Sequence, residues 1–257
     1  MIRYFIFFVL LIMISIDSKA QYNHMADQGK IEYEFKINRF ERAKKLLGAQ
    51  ASSTRYRDYI LSLQDNRFLI RTYQMEFDQN HTFYGLVNKE ESQDFIDLLI
   101  GIPTSAVLRD NETDSTFMKK QFGEENFFLA EKSKNIKWKY TNERMDIMGY
   151  ECRRANGLFM DSIYVVAFYC PDINVRSGPS LFWGLPGMIL GISLPQDHIN
   201  IFATKIDLNE NPSIRGETVI NRTEQKSFSE FSEYLKNILG NRFDKDKWDM
   251  NMRGIRF

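Results

Sequence analysis

Gly184, Leu185, Pro186 and Gly187 open the stretch "GLPGMIL" at the end of a longer aromatic run, "PDINVRSGPSLFWGLPGMIL". Gly178 before Pro179, then Gly184 and Gly187 around Leu185 and Pro186, make two rigid turns that frame Phe182 and Trp183. Aromatic rings held on such a preorganised loop can form a binding surface. The same turns equally suit a tight corner whose aromatics cap a core, and the usual burial of large apolar side chains favours the corner. The candidate motif is therefore Ser177, Gly178, Pro179, Phe182, Trp183, Gly184, Leu185, Pro186 and Gly187, and it contains no general base or metal ligand.

The remaining reactive side chains are few. Cys152 and Cys170 are the two cysteines, and they lie symmetrically about Asp161 in "FMDSI", a turn signal between "YECRRANGLF" and "IYVVAFYC". If these are hairpin arms centred on Asp161, the cysteines face one another across the strands. A structural disulfide is then the favoured reading and a pair of small buried thiols the alternative. No C-x-x-C spacing suggests redox catalysis. His24, His81 and His198 are scattered without metal-ligand spacing, so no metal is implied. "SGPS" at Ser177 to Ser180 lacks the G-x-S-x-G elbow, and neither phosphate-binding glycine motif occurs, so no cofactor is implied either. Glu124, Glu125 and Glu143 are examples of carboxylates that could pair only through the fold, as in glycosidases, and solvated surface charge is the simpler account of them.

Strands dominate the elements that would carry these residues. "KIEYEFKI" alternates strictly, placing Ile31, Tyr33, Phe35 and Ile37 on one face. Helical spacing follows from Arg39 to Leu63, interrupted at "GAQASS", and "RFLIRTYQMEF" and "HTFYGLV" then form a hairpin turning at "DQN". A short helix fits "SQDFIDLLIG". Strands fit "STFMKKQF", "NFFLAEK" and "NIKWKYT", and "MILGISL" and "HINIFATKIDL" join at "PQD". In "SFSEFSEYLKNILG" Ser227 and Glu230 have capping-box spacing, with Phe228, Phe231, Leu235 and Ile238 on one stripe. The expected class is a β-rich α+β fold: a curved antiparallel sheet of hairpins with a few helices packed on one face. Residues 240–257 read as a loosely ordered tail.

Residues 1–20, "MIRYFIFFVLLIMISIDSKA", read as a cleaved secretory signal: one early arginine, an apolar core too short for a membrane span, and small residues before Gln21. The expected mature chain is one domain over 21–257, exported to the periplasm, the outer-membrane surface or the medium, with no transmembrane segment. Without the leader it carries 32 basic and 33 acidic residues. That balance, with no basic block, leaves no electrostatic footprint for nucleic acid.

"IMGYECRRANGLFMDSIYVVAFYCPDINVRSGPSLFWGLPGMILGIS" resembles the signature of the GLPGLI family, exported proteins of Bacteroidota. The likeness extends to the leader ending in "AQ", to "GKIEYEF" and to "WKYTNERMDIMGYECRRA". Met188 departs from the family name, Ser180 and Leu181 stand where a larger aromatic and a basic residue are more usual, and Cys170 replaces a common hydroxyl residue. The resemblance implies a compartment and a lineage but no activity, cofactor or catalytic residue. The expected function is a non-enzymatic cell-envelope module that binds or carries an apolar ligand, a lipid or a partner protein. The alternatives are a hydrolase with a spatially assembled carboxylate site and a structural protein assembling through strand edges.

Overall fold

The computed structural model describes residues 26–87, 106–122, 125–133, 135–214 and 224–239. The expected signal at 1–20, the helix at "SQDFIDLLIG" and the tail at 240–257 lie outside these residues. What is described is β-rich, with one sheet of twelve strands.

Strict alternation decides the first strand. β1 (Gly29–Asn38) buries every second side chain, with Ile31, Tyr33, Phe35 and Ile37 inside and lysines and glutamates between them. Asn38 then caps α1 (Arg39–Leu47) through its side chain, which accepts from the Glu41 amide at 3.1 Å. A 3-10 turn over Gly48–Ser52 replaces the expected interruption, and α2 (Thr54–Asp65) follows. The next strands are β2 (Phe68–Phe77), β3 (His81–Leu86), β4 (Ala106–Asp110), β5 (Ser115–Phe122) and β6 (Glu125–Lys132). After them come β7 (Lys137–Ile147), β8 (Tyr150–Phe159), β9 (Ile163–Cys170), β10 (Met188–Leu194) and β11 (Ile199–Asp207), and last β12 (Gln225–Lys226) and α3 (Phe228–Leu239).

The strand order is β12-β6-β5-β4-β3-β2-β1-β11-β10-β9-β8-β7, antiparallel throughout except for the β12 pairing with β6, and the sheet does not close on itself. Most pairings are tight hairpins, so register is set locally. The β8–β9 hairpin turns over the three residues Met160, Asp161 and Ser162, the first two with positive φ (52° and 57°). Its register, Ala155 opposite Ala167, is centred on Asp161 as the sequence implies.

One apolar core runs along the whole sheet, from Ile31 and Tyr73 through Met118 and Leu129 to Phe159, Val165 and Ile192. α3 joins it: Phe228, Phe231 and Leu235 are buried, and Phe231 and Tyr234 pack their rings on Phe127 of β6 at 4.8 and 4.9 Å. Ile238, the last member of the expected stripe, is half exposed. The capping box forms, with the Glu230 amide donating to Ser227 Oγ at 3.2 Å and the Ser227 amide to Glu230 Oε2 at 2.6 Å. α1 and α2 do not share this core. They enclose a small cluster of their own around Ala43 and Leu63, and α1 is tied to the β10–β11 turn by the buried Arg42–Asp197 pair at 3.1 Å.

Candidate functional site

Between β9 and β10 the chain leaves the sheet for residues 171–187 and crosses the sheet's inner face. Its return to the sheet is bonded on both sides: the Met188 amide donates to the Ile173 carbonyl at 3.0 Å and the Ile189 amide to the Ser177 carbonyl at 2.9 Å. From below, the buried Tyr33 hydroxyl of β1 donates to the Ile189 carbonyl at 2.8 Å, and burial pushes that phenol up. Proline and glycine shape the segment as the sequence implies. Pro179 opens a turn in which the Phe182 amide reaches its carbonyl at 3.3 Å, and Pro186 centres a three-residue turn closed by the Gly187 amide on the Leu185 carbonyl at 2.9 Å. Gly187, at φ 140°, lies so close to the strand that an added Cβ would sit 2.2 Å from the Cys170 carbonyl oxygen.

The two adjacent aromatics have opposite fates. Phe182 is only 1% exposed and packs against Phe159 with centroids 5.4 Å apart, and Ser177, Gly178, Pro179 and Leu185 are buried with it. Phe182 is thus not part of a presented binding surface; its ring fills the core, because the turn at Pro179 directs it inward. Trp183 stays half-buried at the rim. Its carbonyl accepts from Trp138 Nε1 of β7 at 2.9 Å, while the Arg109 guanidinium of β4 lies over its ring at 3.5 Å from the centroid. Gly184, also at the rim, accepts from Arg176 Nη2 at 3.1 Å. The segment therefore ties β4 to β7, strands far apart in the ladder, which requires the sheet to bend around it.

Arg109 was not among the candidates the sequence offers. It belongs to a polar row that crosses adjacent strands on the inner face: Thr82 opposite Arg109, Arg109 opposite Thr116, Thr116 opposite Glu131. Burial lowers the guanidinium's affinity for its proton, against the pull of Asp114, whose carboxylate it meets at 3.0 Å, and its Nε donates to Asn111 at 2.9 Å. Thr116 shares a 2.6 Å hydroxyl contact with Ser133, and Glu131 accepts the first amide of α3, that of Phe228, at 3.1 Å. This row reaches a cavity of about 30 Å³ walled by Met118, Phe159, Met160, Leu181 and Trp183, with Thr116, Glu131, Lys132 and Ser133 on its polar side. That is room for about two waters, at ~10–15 Å³ for each.

The other candidates lie apart from this cavity. Among the described residues no three of His, Cys, Asp and Glu gather as a metal site. His81 faces Asp78 at 3.7 Å, and His198 takes the left-handed position of the β10–β11 turn. Glu125 accepts from the Tyr234 hydroxyl at 2.7 Å and Glu143 pairs with Arg154, so these two exposed carboxylates are engaged separately; Glu124 and His24 lie outside the described residues. Cys152 and Cys170, the expected disulfide pair, are both buried and carry free thiols here. The register is nonetheless the expected one. Arg153 stands opposite Tyr169, so the next step sets Cys152 against Cys170, and the thiols hydrogen-bond to each other.

Comparison with known proteins adds little beyond lineage and fold. Residues 159–191 match a family described as "Protein of unknown function (Porph_ging)", a Bacteroidota-type family, over the end of β8, β9, the crossing segment and the start of β10. No curated protein matches. Two solved structures of PNGF-II, in space groups P21 and C2, are similar in fold, with TM-scores of 0.54 and 0.53 at 13% identity over 81% of this chain. The chain spans about a third of the PNGF-II chain's length, 33% and 32% in the two structures. No helix among the described residues is long and apolar enough to cross a membrane.

Proposed function

We propose that this chain is an exported, non-enzymatic binding module of the bacterial cell envelope, related to the GLPGLI proteins it resembles, and that it holds a partner protein at the cleft beside Trp183. The observation that carries this reading is how the inner face is used. Residues 171–187 and α3 pack against the inner face, and among the described residues the cavity that adjoins Trp183 has a volume of about 30 Å³. A bound lipid or other drug-sized apolar ligand needs a pocket of roughly 300–1,000 Å³. One inserted side chain of a partner needs far less. Trp183 with Leu181 and Met160 supplies the apolar contact, and Glu131, Lys132 and Ser133 supply a polar rim, which is the usual division of labour in a protein interface. The leader-like sequence of residues 1–20 supports export.

The test is a photo-crosslinking amino acid placed at Leu181 of the full chain, expressed in its own host. A discrete adduct of defined mass that disappears with Trp183→Ala and is not formed from position 70, on an exposed outer side chain, is the expected result. No adduct from position 181, or lipid alone in the native mass spectrum, would count against a protein partner. Lipid would revive the carrier reading and require residues 171–187 to leave the inner face.

A further inference from the structure

We propose that Cys152 and Cys170 are a covalent modification site, and that in the exported protein they close into a disulfide tying β8 to the foot of the 171–187 segment. The inference does not depend on what occupies the Trp183 cleft. Directly opposed residues of antiparallel strands have Cα atoms ~4.5–5.5 Å apart, inside the ~4.4–6.8 Å range of disulfides. Cys152 and Cys170 are one ladder step beyond Arg153 and Tyr169, and each is pinned on its other side as well, Cys152 by Met145 of β7 and Cys170 by Met188 of β10. Four sulfur side chains thus cross four adjacent strands in a row, with the two thiols at its centre. The sheet has already supplied the alignment that a bond between them needs.

The two thiols are not equivalent. Cys170 is held below the usual thiol range, chiefly by its contact with Cys152, which pairing of the β8–β9 hairpin alone brings about. It is the sulfur that starts thiol–disulfide exchange. The oxidant is a disulfide of the envelope, protein-borne or small. Cys170 thiolate attacks one of its sulfurs, forming a mixed disulfide and expelling one thiolate; Cys152, giving up its proton, then attacks Cys170 Sγ and expels the second. Two protein thiols lose two electrons and two protons, and the oxidant becomes two thiols. Both cysteines are fully buried in the finished fold. Exchange therefore belongs to the stage at which the hairpin forms, before residues 171–187 settle. The consequence is local: Gly187 rests on the Cys170 carbonyl, so the bond fixes the strand end on which the "GLPG" turn sits.

The full chain, produced with its leader in an exporting bacterium and quenched in acid, is denatured with N-ethylmaleimide and weighed intact. No maleimide is expected without reductant and two after reduction, with a linked peptide pair containing residues 152 and 170. Reduction is expected to lower Tm by roughly 5–10 °C, and to leave the Tm of Cys152→Ala/Cys170→Ala unmoved. If that variant fails to fold, the mass measurement decides alone. Two maleimides on unreduced envelope protein, persisting after the purified protein is refolded with glutathione disulfide, would overturn the proposal, and so would disulfide-linked dimers in place of the internal bond.

Discussion

Replacing Phe182 with alanine separates a loop that is built into the core from one that merely lies over it. The ring is 1% exposed, packs on Phe159 at 5.4 Å and belongs to the same core as Leu185 and Ile189, themselves fully buried. Removing a phenyl group so enclosed costs the transfer energy of the ring plus a cavity the surrounding strands cannot collapse into, about 3–5 kcal/mol. For a chain of this size each kcal/mol moves Tm by about 2–4 °C, so Phe182→Ala should melt roughly 6–20 °C below the parent. Its neighbour supplies the control. Trp183 is half-buried and its principal partner is the Arg109 guanidinium, a contact of about 0.5–2 kcal/mol, so Trp183→Ala should lower Tm by only a few degrees. Thermal melts followed by circular dichroism read both. Equal, small shifts would refute the reasoning, because they would mean that residues 171–187 do not share the core.

Three further outcomes follow from the same contacts. Gly187→Ala should destabilise by at least about 1–3 kcal/mol in a denaturant titration, because alanine resists a φ of 140° and its methyl group would overlap the Cys170 carbonyl. Asp197→Ala should cost about 3–5 kcal/mol by leaving the buried Arg42 charge without its carboxylate, whereas Arg42→Met/Asp197→Leu should recover most of that loss. Hydrogen bonds from Ser227 hold the Glu230 carboxyl below its ordinary value of 4.5. A carboxylate with a depressed folded value stabilises fully above the unfolded value and loses that contribution as pH falls through the folded one. Far-UV circular dichroism should thus show α3 weakening below about pH 4.5, and less so in Glu230→Gln.

How much of this was legible beforehand follows from where burial is one-sided. β1 is readable because only one of its faces is inside, and the β8–β9 hairpin because its turn residues and its two cysteines share one centre. β4 passed unnoticed: Val107, Leu108 and Arg109 are all buried, so no alternation exists to read. β7 is longer than "NIKWKYT" suggests, since its second half is exposed and a bulge between Tyr140 and Arg144 breaks the period. At the site, the rigid corner was evident from its prolines and glycines. Which of Phe182 and Trp183 points inward was not, because that depends on the turn at Pro179 meeting Ile189 and Phe159. Arg109 left no trace in the sequence at all, since its worth comes from Trp183 and from a row of side chains contributed by β3, β5 and β6.

The account rests on residues 171–187 being part of the folded core with Trp183 at its surface, and hydrogen–deuterium exchange of the native protein measures this directly. Peptides covering 177–189 should exchange as slowly as those of β9 and β10, since the amides of Phe182, Gly184, Gly187, Met188 and Ile189 are all bonded within the fold. Exchange as fast as that of the exposed turn at Asn111–Asp114 would contradict it.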